Sequence, residues 1–197
     1  MADIAPLNGL VLAGGRSRRM GRDKALLRHG QETQLARAVR LLSAVTAGTW
    51  VSARADQAGD AERARFPQIV DRYEDLGPVA GILSAFDHAP DAAWLVLACD
   101  LPNVSAATLA TLVGGRDPAR PFTAFRSSTN GLPEPLCAIW EPAARAVAGA
   151  FVKDGVVCPR KMMIRSDTCL LEQPDPRMLD NVNTPEDLGA SRLATQS

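Results

Sequence analysis

Apolar runs separated by amphipathic segments predict that strands and helices alternate along most of the chain. Residues 93–99 form an uninterrupted apolar run, which is the pattern of a parallel strand buried on both faces, and residues 7–12 predict a second buried strand. Shorter runs predict further strands at residues 49–53, 68–71, 122–125 and 135–140. Strands that alternate with helices are typical of β-α-β units, so the predicted fold class is α/β with a mostly parallel open sheet.

Helices are predicted between these strands. Residues 33–45 place four apolar side chains on one helical face: Leu35, Ala38, Val39 and Leu42. A second helix is predicted at residues 79–86, with its start marked by Gly77-Pro78, because proline fits the first turn. The remaining predicted helices are residues 105–113 and 141–151, and a last one that begins after a cap at Thr184.

Composition narrows the function classes. The 197 residues predict one domain, and 22 basic against 22 acidic residues give a formal net charge of zero, so no nucleic-acid partner is expected. No apolar stretch approaches the roughly 20 residues of a membrane span, and no basic signal region begins the chain. The four cysteines form no C-x-x-C pair and, with two distant histidines, predict no zinc site. We therefore expect a cytoplasmic protein with reduced thiols that does not bind membranes.

A loop rich in glycine and arginine follows the first predicted strand. Gly14, Gly15 and Gly21 allow close backbone approach to a ligand, and successive N–H groups of such a loop can bind an anion. Six cations lie within thirteen residues: Arg16, Arg18, Arg19, Arg22, Lys24 and Arg28. Neither the Walker spacing nor G-x-G-x-x-G is present, which weighs against kinase and NAD-binding functions. The loop predicts a polyphosphate ligand, and the alternative is a glycine turn with solvated arginines.

Polar residues close several of the predicted strands. Ser52 lies at the end of one strand, Asp71 at the end of the next, and Asp100 directly after the buried run 93–99. Ligands of open α/β sheets bind beyond the carboxyl ends of the strands, so these residues are expected to line a site. A carboxylate such as Asp100 suits Mg²⁺, although it could equally be a turn or capping residue.

Four blocks of the sequence resemble the MobA-type nucleotidyltransferases, which are molybdenum cofactor guanylyltransferases. Residues 12–24 read Leu-Ala-Gly-Gly-Arg-Ser-Arg-Arg-Met-Gly-Arg-Asp-Lys, and Asp71 precedes a Gly-Pro-Val-Ala-Gly-Ile run at 77–82. Residues 97–102 read Leu-Ala-Cys-Asp-Leu-Pro, and residues 181–188 read Asn-Val-Asn-Thr-Pro-Glu-Asp-Leu. The double glycine and the Gly-Pro-Val-Ala-Gly run favour guanylyl over cytidylyl members of the class.

The resemblance implies a fold and a reaction. The fold is a three-layer, mostly parallel open sheet like that of nucleotide-diphospho-sugar transferases, with a Rossmann-like nucleotide-binding half at about residues 1–110 and an acceptor-binding half at about residues 111–197. The reaction is Mg²⁺-dependent transfer of GMP from GTP to Mo-molybdopterin, which yields molybdopterin guanine dinucleotide and pyrophosphate. Apo-molybdoenzymes or their chaperones are further implied partners.

The resemblance also assigns catalytic roles. Lys24 would contact the α-phosphate, and Arg18 or Arg19 would contact the β- and γ-phosphates that leave. Asp100 would hold the metal, and Asn183 near the C-terminus would complete the metal site, unless it only serves the entry of the last helix.

The remaining implied roles concern recognition. The nucleotide would lie against residues at or beyond the ends of four predicted strands: Leu12, Ala13, Gly14, Gly15, Lys24, Ser52, Asp71 and Asp100. Ser52 stands where the family often has Asn. The acceptor phosphate would meet a second basic cluster that includes Arg160 and Lys161, and Glu134 would pair with N–H donors on a pterin edge. The basic cluster could instead be a solvated surface.

Two alternatives remain open at the level of sequence. Glu134 stands where family members often have His or Gln, which keeps a related transferase with another acceptor in play, such as one that transfers cytidylyl to molybdopterin or uses a sugar 1-phosphate. The other alternative is a non-catalytic nucleotide-binding partner, which the intact Lys24 and Asp100 disfavour.

Overall fold

A computed structural model of the protein describes residues 4–14, 23–29 and 31–180. Several predicted features lie outside these residues: Gly15, Arg18, Arg19, Asn183 and the helix after Thr184. The strands of the described residues are β1 (Leu7–Leu12), β2 (Arg28–His29), β3 (Glu32–Thr33), β4 (Thr49–Ala53), β5 (Gln68–Val70), β6 (Ala93–Ala98), β7 (Phe122–Arg126), β8 (Pro133–Trp140) and β9 (Thr168–Leu171). The α-helices are α1 (Gln34–Ser43), α2 (Pro78–His88), α3 (Ala106–Gly114), α4 (Ala143–Lys153) and α5 (Pro159–Ile164).

Seven of these strands form one open sheet in the order β5-β4-β1-β6-β8-β7-β9, while β2 and β3 pair separately. β5, β4, β1 and β6 are parallel neighbours. β8 is antiparallel to both β6 and β7, and β7 pairs in parallel with β9. The predicted mostly parallel α/β sheet is confirmed. β8 runs in reverse because it returns from β7 through a short turn that contains Gly131, whose φ is +71°.

Helices cover both faces of the sheet, which gives three layers. Successive side chains of β6 point to opposite cores: Leu95 and Leu97 pack with α1 and α3, while Trp94 and Val96 pack with α2, α4 and α5. All four side chains are at most 1% exposed, as predicted for a strand buried on both faces. None of the helices in the described part of the chain is long and apolar enough to cross a bilayer.

Local signals start the helices close to the predicted positions. Thr33 accepts a hydrogen bond from the backbone N–H of Ala36 at 3.1 Å and so caps α1. Ser105 caps α3 in the same way through the N–H of Thr108, at 3.2 Å. Gly77 precedes α2 with φ +56°, a conformation that glycine adopts without strain.

The helix α5 and the strand β9 were not predicted from the sequence, and α4 begins two residues later than predicted. Pro159 occupies the first turn of α5, where proline is favoured, but the basic residues that follow it were interpreted only as an anion patch. Glu141, predicted to open α4, instead forms a buried ion pair with Arg116, with contacts of 2.6 and 2.8 Å. Arg116 also donates to the carbonyl of Ala5, so this pair joins three distant segments.

Candidate functional site

The carboxyl ends of the neighbouring strands β5, β4, β1 and β6 border a cavity of about 940 Å³. This position agrees with the general rule for open α/β sheets, and the volume is that of a typical ligand site. Six of the predicted site residues line the cavity: Leu12, Ala13, Gly14, Ser52, Asp71 and Asp100.

A close approach of β4, β5 and α2 forms one wall of the cavity. Ser52 is 2% exposed, and its hydroxyl donates to Asp71 at 2.7 Å. Gly81 of α2 faces this pair: a Cβ at that position would overlap the Ser52 hydroxyl oxygen and come within 3.2 Å of an Asp71 carboxylate oxygen. The helix can approach only because residue 81 is glycine.

Asp71 is held in a partly desolvated setting. Burial raises the pKa of Asp71, while the Ser52 hydrogen bond and the charge of Arg54 act in the opposite direction. A carboxyl group with a raised folded-state pKa binds its proton more tightly in the folded protein than in the unfolded chain. Its contribution to stability is therefore greatest at low pH and is lost as the pH rises through the raised pKa.

Replacing Asp71 with asparagine removes this pH-dependent loss of stability. Because the amide oxygen still accepts from Ser52, we expect the free energy of unfolding of Asp71→Asn to decline less between about pH 4 and neutral pH than that of the wild type. Urea unfolding across that range measures the difference, and identical pH profiles would contradict the prediction.

Arg54 joins the ends of two strands. Its guanidinium donates to the backbone carbonyl of Gly14, at the end of the β1 segment. It also makes two hydrogen bonds to Asp56, at 2.9 and 2.8 Å, which raise the pKa of Arg54. Because Asp56 compensates its charge, Arg54 is suited to hold the backbone at Gly14 in place.

Arg63 lies beneath the opposite side of the cavity and is only 1% exposed. The same nitrogen, Nη2, donates to the Ala13 carbonyl at 2.8 Å and to the Asp23 carboxylate at 2.6 Å. The other carboxylate oxygen of Asp23 accepts from the N–H of Ala25 at 3.0 Å, at the start of the 3₁₀ turn Lys24–Leu26. Asp23 also lines the cavity.

Asp100 follows β6 and faces the cavity beside Cys99. Burial, together with the negative charges of Asp100 and Asp23, raises the pKa of the Cys99 thiol to about 12. The thiol is therefore neutral near neutral pH and unsuited to act as a nucleophile.

The residues that could hold a metal ion are few. Within residues 4–14, 23–29 and 31–180 there is no group of three or more His, Cys, Asp or Glu side chains arranged to bind a metal. Several carboxylates line the cavity instead. One of them, Asp100, follows β6, the middle strand of the sheet. Such a donor set fits a hard cation like Mg²⁺, which takes one or two carboxylates and completes its shell with phosphate oxygens and water.

The predicted acceptor residues lie next to this cavity because β8 runs in reverse. Its first residues therefore reach the sheet edge where β6 ends. Glu134 of β8 accepts from Arg160 of α5 at 2.8 Å, and both line a small cavity of about 60 Å³. Leu136 lines this small cavity and also the large one.

Lys161 is placed differently from its neighbour on α5. It is exposed and lines neither of the two cavities. The structure thus brings Glu134 and Arg160 together but does not add Lys161 to them. A joint phosphate site of Arg160 and Lys161 stays a prediction.

Sequence analysis missed four residues that shape the large cavity: Asp23, Arg54, Arg63 and Gly81. Gly81 lay within the Gly-Pro-Val-Ala-Gly run but was given no role. Asp23 was identified only as a member of the block at residues 12–24, without a role of its own. The two arginines reach partners 40 or 50 positions away in the chain, a separation that produces no local pattern.

Comparisons with known proteins agree with this site. A family model described as a MobA-like NTP transferase domain matches residues 9–168. A molybdenum cofactor guanylyltransferase of Pseudomonas aeruginosa is 34% identical over 195 residues, which cover 96% of this chain and 96% of that protein. A molybdenum cofactor biosynthesis bifunctional protein of Synechocystis is 35% identical over 191 residues. That match covers 95% of this chain, which spans only 55% of the length of the bifunctional protein.

A solved structure shows the same fold. The crystal structure of molybdopterin-guanine dinucleotide biosynthesis protein A from Archaeoglobus fulgidus superposes with a TM-score of 0.78. The match covers 96% of this chain and all of that one, at 21% sequence identity. The three-layer open sheet is thus the fold of a known group of proteins.

Proposed function

This chain belongs to the MobA-like NTP transferase family, and from that premise we propose that it transfers GMP from GTP to Mo-molybdopterin, releasing pyrophosphate. The product is molybdopterin guanine dinucleotide. The observation that carries the proposal is the large cavity, which is lined by residues of three of the segments that resemble the family: the end of β1, the stretch from Asp71 to α2, and the end of β6 with Asp100. Apart from Leu136, the lining residues belong to the proposed nucleotide-binding half, and the proposed acceptor-binding half supplies Glu134 and Arg160 beside the cavity.

The nucleotide lies along the end of β1 in this proposal. Backbone groups of Leu12, Ala13 and Gly14 face the base, and Asp71 accepts hydrogen bonds from the nucleotide. Lys24 contacts the α-phosphate, and Arg18 or Arg19 contacts the phosphates that leave. Each charge-assisted contact strengthens as water leaves the site. Gly15 is a further proposed nucleotide-binding residue.

The proposed reaction needs no general base. The acceptor is a phosphate monoester, which is largely ionised near neutral pH, so it can attack the α-phosphorus without losing a proton to the enzyme. The work of the site is to align two anions and to compensate their charge. The neutral thiol of Cys99 agrees with a mechanism that has no covalent intermediate.

A divalent metal fits the Asp100 end of the cavity, and Mg²⁺ is the ion we propose. The ion would compensate the charge that builds up on the transferred phosphate. Asp100 holds it from the end of β6, and Asn183 is the proposed second protein ligand. Leu179, four positions before Asn183, lines the small cavity with Leu101, the residue after Asp100. The end of the described chain thus lies beside the residue that follows Asp100, which supports Asn183 as the proposed second ligand.

The acceptor-binding residues are proposed to be Glu134 and Arg160, with Lys161 as a further phosphate contact. The carboxylate of Glu134 can accept from the N–H donors of a pterin edge, and Arg160 compensates the charge of Glu134 when the anionic acceptor approaches. The ion pair thus offsets the repulsion that an unpaired Glu134 carboxylate would exert on the acceptor phosphate.

Replacing Arg160 with methionine should therefore raise the KM for the acceptor about tenfold, because Glu134 would then carry an uncompensated charge beside it. The KM for GTP should stay within about twofold of the wild type. Arg126→Met is the matched control, since it breaks an Arg–Glu pair with Glu172 that is exposed and outside both cavities. A tenfold rise in the KM for GTP, or equal effects of the two variants, would contradict the assignment.

The location and the later steps are also part of the proposal. The cysteines Cys99, Cys137, Cys158 and Cys169 are free, which agrees with a reducing, cytoplasmic compartment. Apo-molybdoenzymes or their chaperones are the proposed recipients of the product.

The reaction itself is tested by incubating the protein with Mg²⁺, Mo-molybdopterin and one of GTP, CTP or ATP. Pyrophosphate release and the mass of the dinucleotide product are measured. We expect turnover with GTP and at least about tenfold less with CTP, the discrimination available to one or two base contacts. Preference for CTP, or turnover only with a sugar 1-phosphate, would support the related transferases instead. Binding of GTP without turnover on any acceptor would support a non-catalytic partner.

A further inference from the structure

Arg63 joins the two ends of the glycine- and arginine-rich loop. Ala13 precedes residues 14–22 and Asp23 follows them, and one nitrogen of Arg63 contacts both, at 2.8 and 2.6 Å. We propose that Arg63 is a positioning residue, which fixes the distance between the two ends of this loop and so sets the backbone for a bound triphosphate. The inference rests on the proposed function, because it assumes that the large cavity binds a nucleoside triphosphate.

The contacts of Arg63 reach the nucleotide site through Asp23. One carboxylate oxygen of Asp23 pairs with Arg63, and the other accepts from Ala25. Asp23 thereby orients the turn Lys24–Leu26, which carries the proposed α-phosphate contact. If Arg63 were absent, this turn would lose its anchor to the end of β1.

The second role of Arg63 is electrostatic. Asp23 lines the cavity, so its negative charge lies close to where phosphates would bind. Arg63 is 1% exposed and compensates this charge from beneath, without entering the cavity itself. An uncompensated carboxylate there would repel the triphosphate.

Stability alone does not account for a buried arginine here. The Nε of Arg63 is buried and finds no hydrogen-bond partner in the described part of the chain. An unpaired buried donor is destabilising, so a hydrophobic side chain would serve the packing of this position better. The Nη1 of Arg63 also lies 3.5 Å from the Asp60 carboxylate, a partner that a substitution of Asp23 leaves in place. The shorter side-chain contacts of Arg63 go to Ala13 and Asp23, and these two contacts carry the proposed role.

The sign of a double substitution tests this account. Arg63→Met should lower kcat/KM for GTP about 30-fold and weaken GTP binding, since it leaves Asp23 uncompensated and the turn without its anchor. Adding Asp23→Asn should then restore activity and GTP binding about fivefold, because it removes the repelling charge. If Arg63 only stabilises the fold, the two losses add and the double variant is worse than either single variant.

Controls separate this role from folding and from the proposed function. Arg116→Met breaks a second buried arginine–carboxylate pair, Arg116–Glu141, which lines neither cavity, and should lower the melting temperature with kcat/KM within about twofold of the wild type. If Arg63→Met does not fold, Arg63→Lys decides: lysine keeps the charge but has a single nitrogen, whereas Arg63 uses Nη2 for Ala13 and Asp23 and Nη1 for Asp60. We therefore expect kcat/KM for GTP to fall about tenfold, and an unchanged kcat/KM would overturn the proposal.

The GTP dissociation constant makes the two failures distinguishable. If the wild type binds GTP but transfers no GMP, the proposed reaction fails, and the rescue by Asp23→Asn is still measured as binding. If the wild type transfers GMP but the double variant shows no rescue, the positioning role fails alone.

Discussion

Asp100→Ala should lower kcat about 1000-fold while the GTP dissociation constant changes less than about tenfold. Asp100 is the cavity residue that we propose as a metal ligand. Its charge acts mainly in the transition state, when the transferred phosphate gains charge. In the proposed binding mode, GTP makes further contacts at the ends of β1, β4 and β5, so its affinity depends less on Asp100. The measurement is single-turnover GMP transfer, paired with calorimetric GTP binding.

The control for Asp100 lies at the other end of the same strand. Asp91 is an exposed acid before the start of β6, about as far from the cavity as the strand allows. Asp91→Ala should leave kcat within about twofold, as expected for a surface substitution. Full activity of Asp100→Ala would show that a metal ion held by Asp100 is not required for the reaction. Loss of both kcat and GTP binding, with lowered thermal stability, would show instead that Asp100 is a structural residue.

Gly81→Ala should weaken GTP binding about 100-fold, an effect typical of a site displaced by about 1 Å. The added Cβ overlaps the hydroxyl oxygen of Ser52 and lies 3.0 Å from its Cβ. Ser52 cannot move away without releasing Asp71, to which it donates at 2.7 Å. The variant should also lose about 1–3 kcal/mol of stability, the usual effect of overpacking. Calorimetric GTP titration and urea unfolding measure the two effects.

Gly149 offers a matched control, because it also lies within a helix, α4, but a Cβ there meets no atom within 4 Å. Gly149→Ala should keep the wild-type affinity for GTP and raise stability by about 0.5–1 kcal/mol, the helix propensity difference between alanine and glycine. Equal GTP binding by both variants would show that the approach of α2 to Ser52 is not required for the nucleotide.

The sheet was predictable from sequence because its strands carry strong local signals. The run 93–99 is apolar at every position, and a strand needs such a pattern only when both of its faces are covered. The strand β9 was missed because it is short and lies at the edge of the sheet, and the helix α5 was missed because its six residues carry little periodicity. The start of α4 was predicted too early because Glu141 has a buried partner, Arg116, that lies 25 positions earlier in the chain and leaves no local pattern.

The cavity was predicted as far as strand ends could indicate it. Ser52, Asp71 and Asp100 were identified from the rule that ligands bind beyond the carboxyl ends of parallel strands, and the structure brings them to one cavity. Arg63 was not identifiable in this way, because its contacts with Ala13 and Asp23 join segments that only the tertiary fold brings together. The pairing of Arg160 with Glu134 was likewise unforeseen, since it depends on the reversed direction of β8.

The central claim is that one cavity at the edge of the sheet binds GTP and a divalent metal together. A crystal structure of the protein soaked with GTP and Mn²⁺ tests it most directly, because Mn²⁺ can be located by its anomalous scattering. The account predicts the triphosphate between β1 and the turn Lys24–Leu26, with the manganese peak bound to the Asp100 carboxylate at roughly 2.1 Å. Nucleotide density outside this cavity, or a manganese ion that Asp100 does not ligate, would contradict it.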